Sequence, residues 1–361
     1  MLLVLILATN RYFSAEQAFQ LGFSDTDSYL RIALASDLST LSSLTGNTPS
    51  HHLERWPLHW LIGCVARNLS LEPWLVYRIA AILTASAIVA ALASTKASIQ
   101  AFFVLTGLLL LAPYGLRSFI AAPGMLSDNI FFLSSICLML GIARGSNLML
   151  GVALTLGLLS RQTFVMFAPI CILGGMTGHL PLKRAILIAA CILGLFIFLR
   201  MATNHLFPGI SHNYGAMALG LWDWLQAPDR TTGVDFFGRI LFFIALLSPI
   251  LLLDLPRSKL LFALGGFFLI AVQPVLGGPP ATGQNILRLL TLGLPFLIPA
   301  VIETKMNKTL VVFFIVLMFI NSLHHNYSIL PGQSIHIYAG LILTTTILCA
   351  ICWRKRRFSH H

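Results

Sequence analysis

Two carboxylates and a phenol fall within one short segment, Asp25-Thr26-Asp27-Ser28-Tyr29-Leu30-Arg31. Carboxylates next to long apolar segments are costly to keep there and commonly bind ions or do chemistry. An aspartate at a cavity edge can act as a general base, taking the proton of an acceptor hydroxyl or amine as it attacks. Partial burial raises its pKa and a neighbouring arginine lowers it. The structural alternative is a helix N-cap, with the helix starting near Ser28; one aspartate can cap while the other reacts. A third carboxylate, Asp128, stands in Gly124-Met125-Leu126-Ser127-Asp128-Asn129 at the start of an apolar segment. It either caps that helix or faces the first pair, where it would orient the base, position the acceptor or help hold a divalent cation.

Other titratable groups crowd into His51-His52-Leu53-Glu54-Arg55-Trp56-Pro57. Two histidines and a carboxylate could hold a metal, although their spacing fits no particular metal. Arg31, Arg55, Arg161 and Arg288 are candidate contacts to an anion such as a phosphate. For Arg161 and Arg288, the alternative is a side chain that snorkels to the membrane interface.

The chain that must position these groups has 361 residues, 57% of them hydrophobic and 10% charged, which no ordinary soluble domain shows. Apolar stretches recur along its whole length, and about 20 such residues cross a bilayer. The expected fold is therefore all-α: a polytopic helical membrane protein of about 11–12 transmembrane helices, in one transmembrane domain. The net charge of +11 does not indicate nucleic acid, because the basic residues are scattered between apolar segments, apart from Arg354-Lys355-Arg356-Arg357. The six cysteines all fall in apolar stretches, including Cys349 and Cys352, and suggest buried small hydrophobes with no disulfide framework. The apolar run 1–8 lacks a basic start and a cleavage site, so no cleaved signal peptide is expected.

Taking the basic tail (about 353–361) as cytoplasmic and reading backwards gives spans near Ser334–Cys352, Leu310–Ser322, Ile286–Val301, Leu260–Leu276, Phe237–Leu253 and Ala185–Met201. Two short spans, near Leu148–Leu159 and Phe164–Gly174, meet at Arg161-Gln162-Thr163. Further spans lie near Asn129–Ala143, Ala101–Ala112 and Leu75–Ala93. All six lysines, 96, 183, 259, 305, 308 and 355, then face the cytoplasm, as the positive-inside rule demands. Of the acids, only Asp254 and Glu303 do so. Arginines including Arg31, Arg55, Arg117, Arg161, Arg239 and Arg288 fall toward the outer side, against the usual bias, which points to an anionic ligand there. Pro57–Leu71 is expected to lie in the interface, with Trp56 and Trp60 at headgroup level. Outer loops of about 11–56, 118–128 and 204–236 result, the first carrying an amphipathic surface helix over Thr26–Leu41.

These motifs resemble those of the GT-C superfamily of membrane glycosyltransferases, among them protein O-mannosyltransferases, lipid A aminoarabinose transferases and oligosaccharyltransferase catalytic subunits. The resemblance covers roughly residues 20–300. It rests on Asp25-Thr26-Asp27-Ser28-Tyr29, Glu54-Arg55-Trp56-Pro57, Trp74-Leu75-Val76-Tyr77-Arg78, Asp128, Leu159-Ser160-Arg161-Gln162, and Arg288 before Pro295 and Pro299. It implies a sugar donor on a polyprenyl phosphate, an aspartate base (Asp27 ahead of Asp25), phosphate contacts from Arg288 or Arg161, and inversion at the anomeric carbon. It also implies an active site facing the periplasm of a bacterial cytoplasmic membrane. The acceptor, a glycan, lipid or protein, stays open. The single acid of the second loop departs from the paired acids of the metal-dependent members, so no metal site is assigned. The rival classes are a transporter or flippase of an anionic lipid or solute, and a polysaccharide polymerase or ligase.

Overall fold

A chain this apolar must satisfy its backbone groups internally, and helices do so within one segment. The computed structural model describes residues 2–20, 25–95, 98–112, 115–210, 214–253, 255, 257–302, 308–323, 340, 342–347 and 349–350. Among them every named element is a helix, and the sole β contact is an isolated bridge between Thr45 and Thr48. Five helices are long and apolar enough to cross a membrane: Pro73–Ala93, Pro123–Arg144, Leu182–Leu206, Arg230–Leu252 and Lys259–Ala281. Five shorter apolar helices are Ile99–Leu110, Asn147–Ser160, Gln162–Met176, Ile286–Ile302 and Lys308–Ser322. Together they occupy the expected spans from Leu75 to Ser322. The shorter ones fall below the roughly 20 residues that cross a bilayer unaided.

The chain divides into two units, one of Tyr12–Ala91 and Ser118–Tyr214, the other of Met1–Arg11, Leu92–Arg117 and Gly215–His361. In the first unit the main helices are α1 (Asp25–Leu34), α2 (Leu38–Ser42), α3 (Ser50–Leu53), α4 (Trp56–Asn68), α5 (Pro73–Ala93), α6 (Leu126–Arg144), α7 (Asn147–Ser160), α8 (Phe167–Met176) and α9 (Leu182–Leu206). Helix α6 is buried along its whole apolar window, whereas α9 leaves Ile186, Leu187, Ile197, Phe198 and Met201 exposed, a surface suited to lipid. The α6–α7 hairpin turns at Gly145, in the left-handed region at φ +66°, and the Ser146 side chain caps α7 by accepting from the Met149 amide. Helix α1 presses so closely on α4 that a Cβ at Gly63 would lie 1.8 Å from the Ala33 carbonyl oxygen. The same carbonyl accepts a 2.8 Å hydrogen bond from Arg67 Nη1.

Several expectations need correction. The surface helix expected over Thr26–Leu41 is two helices: α1 stops at Leu34, and Asp37 caps α2 through a 2.8 Å bond from the Thr40 amide. The expected second outer loop, 118–128, is helical: Leu116–Ala121, a 3-10 turn at Pro123–Met125, and the start of α6. The expected loop 204–236 contains a helix, Tyr214–Gln226, and the start of another, Arg230–Leu247, capped by Asp229. The span expected at Ile286–Val301 is interrupted after Thr291, where Gly293, Pro295 and Pro299 break the hydrogen-bond ladder. In the second unit the long helix Arg257–Ala281 is kinked at Gly278, whose φ of +59° no L side chain adopts readily. Lys96, Asp254, Glu303, Lys305, Cys352, the tail 353–361 and most of the last expected span lie outside the described residues.

Candidate functional site

Four candidate residues of the first unit, Asp25, Arg55, Asp128 and Arg161, converge on one phenol. Tyr29, on α1, is fully buried, and its hydroxyl accepts a hydrogen bond from Arg55 Nη1, the guanidinium lying 5.9 Å from the ring centre. Burial pushes the phenol up from its ordinary value; Arg55 and Arg161 oppose this, while Asp25 and Asp128 add to it. Two acids and two arginines, brought from four separate stretches of sequence, thus act on one hydroxyl.

Each acid has its own companion. Asp25 lies in the first turn of α1, and its Oδ1 is 3.2 Å from His52 Nε2, close enough to pair but out of hydrogen-bond alignment. Asp128, in the first turn of α6, accepts a hydrogen bond from Arg161 Nη1, and both side chains are buried. It does not cap α6: the residue at that position is Met125, without a side-chain cap. Arg161 is extended at the break between α7 and the 3-10 turn Gln162–Met166, so its side chain leaves the helix axis. The neighbouring Gln162 donates to the His51 carbonyl at 3.3 Å, tying this break to the histidine run.

Asp27 points elsewhere. It pairs with Arg31 at 2.7 Å, one helical turn on, and the two side chains are 47% and 49% exposed, against 21% for Asp25. Glu54 is buried and accepts from Arg200 Nη1 at 2.9 Å, well along α9. Arg288 belongs to the second unit, on the short helix Ile286–Thr291. Among the described residues no three histidines, cysteines or acids are grouped to hold a metal ion, so the reading of His51, His52 and a carboxylate as a metal site lacks its ligand set.

One supporting residue was not singled out from the sequence. His59 is fully buried and stacked on Tyr29, with ring centres 3.8 Å apart at 10°. Its Nδ1 is 2.7 Å from the Tyr77 hydroxyl, which donates its only hydrogen to the Tyr29 carbonyl at 3.2 Å. His59 must therefore donate from Nδ1, leaving Nε2 to accept from Ser127 Oγ at 3.3 Å. Burial, reinforced by the Arg55 charge, holds its pKa well below the usual histidine range. The neutral ring thus bridges α1, α5 and α6 beside Asp128. The sequence carried no clear signal for it, because a histidine in an amphipathic segment reads as part of the wet face. For Arg200, the signal was a lone charge in an otherwise apolar helix.

No family model, curated protein or solved structure matches this chain.

Proposed function

We propose that the chain is a membrane glycosyltransferase that moves a sugar from a polyprenyl-phosphate donor to an acceptor, with an aspartate as general base. The observation that carries this reading is the gathering of Asp25, Asp128, Arg55 and Arg161 around the buried Tyr29. Such a cluster offers what inverting transfer from a phosphate leaving group needs: a carboxylate to accept a proton and guanidiniums to meet developing phosphate charge. Asp25 takes the proton of the acceptor hydroxyl, the acceptor oxygen bonds to the anomeric carbon, and the bond from that carbon to the phosphate oxygen breaks. The electron pair leaves with polyprenyl phosphate, and Arg55 and Arg161 stabilise its charge.

Asp25 is preferred to Asp27 because Asp27 is half-exposed and held by Arg31, whereas Asp25 adjoins the cluster. Asp128 is assigned to holding Arg161 in place. The resemblance to GT-C glycosyltransferases supports the same chemistry, with the active side facing the periplasm of a bacterial cytoplasmic membrane.

A transporter or flippase of an anionic lipid is the second reading. It draws on the interrupted helices at Gly278 and at Gly293–Pro299, since broken helices often line transport pathways. The test is a panel of polyprenyl-phosphate sugars presented to the purified protein in liposomes with a cell-extract acceptor pool. Released polyprenyl phosphate supports the transferase; donor moved between leaflets without release supports the transporter.

A further inference from the structure

Arg117 lies in the second unit and takes no part in the Tyr29 cluster. It is 4% exposed, unusually low for an arginine. Its Nη1 donates to Thr9 Oγ1 at 2.9 Å. That hydroxyl is already committed as a donor to the Leu5 carbonyl at 2.7 Å, so its oxygen is fixed as an acceptor. The Asn10 side-chain amide donates to the Arg117 carbonyl at 3.2 Å, and the guanidinium sits 5.9 Å from the Phe319 ring centre. All these partners are neutral. Among the described residues no carboxylate pairs with Arg117, and burial alone pushes its pKa down to about 10.

The unused atoms are informative. Nε and Nη2 are both buried and have no hydrogen-bond partner among the described residues. They are the two nitrogens whose N–H bonds run parallel along one edge of the guanidinium, the fork that grips two oxygens of one oxyanion. Thr9 and Phe319 hold the opposite side and the face. A buried cation with its fork open and no acid beside it is strongly unfavourable unless an anion completes it.

We propose that Arg117 is an anion receptor that binds a phosphate group through Nε and Nη2, with Thr9 fixing the guanidinium. A lipid headgroup and a phosphate free in solution present the same pair of oxygens, and the experiment separates the two sources. The site stands independently of the glycosyltransferase reading, and its test uses no turnover.

The experiment measures the melting temperature of the full chain after exhaustive exchange into dodecyl maltoside. Inorganic phosphate is titrated against chloride at matched ionic strength, and phosphatidate is titrated against diacylglycerol. A saturable rise is expected in wild type, absent in Arg117→Gln and smaller in Arg117→Lys, which keeps the charge without the fork. A rise with phosphatidate only identifies a lipid headgroup, and a rise with inorganic phosphate a soluble anion. No rise with either, or the same rise in Arg117→Gln, overturns the proposal. Arg117→Met gives a second check in phosphate-free micelles. It should melt no lower than wild type, because removing an uncompensated buried charge outweighs the lost Thr9 bond; a clearly lower melting temperature would mean that the charge is already compensated without an anion and would overturn the site.

Discussion

Asp25 and Asp27 are two residues apart, yet their surroundings differ. Alternation along the first helical turn sends one toward His52 and the buried cluster and the other toward Arg31 and solvent. The charged members of the cluster were legible in the sequence, because each is a costly exception in an apolar chain. Which aspartate adjoins the cluster was not legible, because that depends on where α3 and the Arg161 turn are packed. His59 was not legible either, since a polar residue in an amphipathic segment reads as part of its wet face. Its neutral state has a measurable consequence. Its folded pKa lies well below the ordinary value of about 6.5, so below that pH the unfolded chain binds a proton that the folded one refuses. Stability present at neutral pH is therefore lost on acidification, at up to about 1.4 kcal/mol per pH unit for this one group. Melting temperatures between pH 7.5 and pH 5 should fall steeply in wild type and less steeply in His59→Gln. Equal slopes would remove His59 as the cause.

At the scale of elements, α1 is placed by its contact with α4, and that contact depends on Gly63. A methyl group there has no room against the Ala33 carbonyl, which is backbone and cannot rotate away. Gly63→Ala should therefore cost about 1–3 kcal/mol, as overpacked sites do. It should also lower activity more than its stability loss explains, because α1 carries both Asp25 and Tyr29. An unchanged melting temperature would mean that α1 is held elsewhere. Helix positions were largely legible, since ten of the expected spans coincide with apolar helices. The loops were not. Segments 118–128 and 204–236 fall between the long apolar runs and so read as loops, but helices fill much of both, one of them started by the Asp229 cap.

For the molecule as a whole, the proposed transfer at the periplasmic face requires α1 to α4 to lie at the outer surface. Helix α4 has 13 residues and is about 20 Å long, too short to cross roughly 30 Å of hydrocarbon. A single cysteine at Ser39, on exposed α2, should react with an impermeant thiol reagent added to intact cells. Protection until the membrane is opened would place this face inside and reverse the orientation. Asp25→Asn tests the proposal that the Tyr29 cluster carries out glycosyl transfer with Asp25 as base. Asp25 is partly exposed, so this change leaves no buried charge stranded, unlike a change at Asp128 or Arg161. The measurement is the rate of polyprenyl-phosphate release from the best donor, comparing Asp25→Asn and Asp27→Asn with wild type at matched melting temperature. The expected result is a loss of about 10²–10⁴-fold in Asp25→Asn and near-wild-type release in Asp27→Asn. Full release by Asp25→Asn would contradict it.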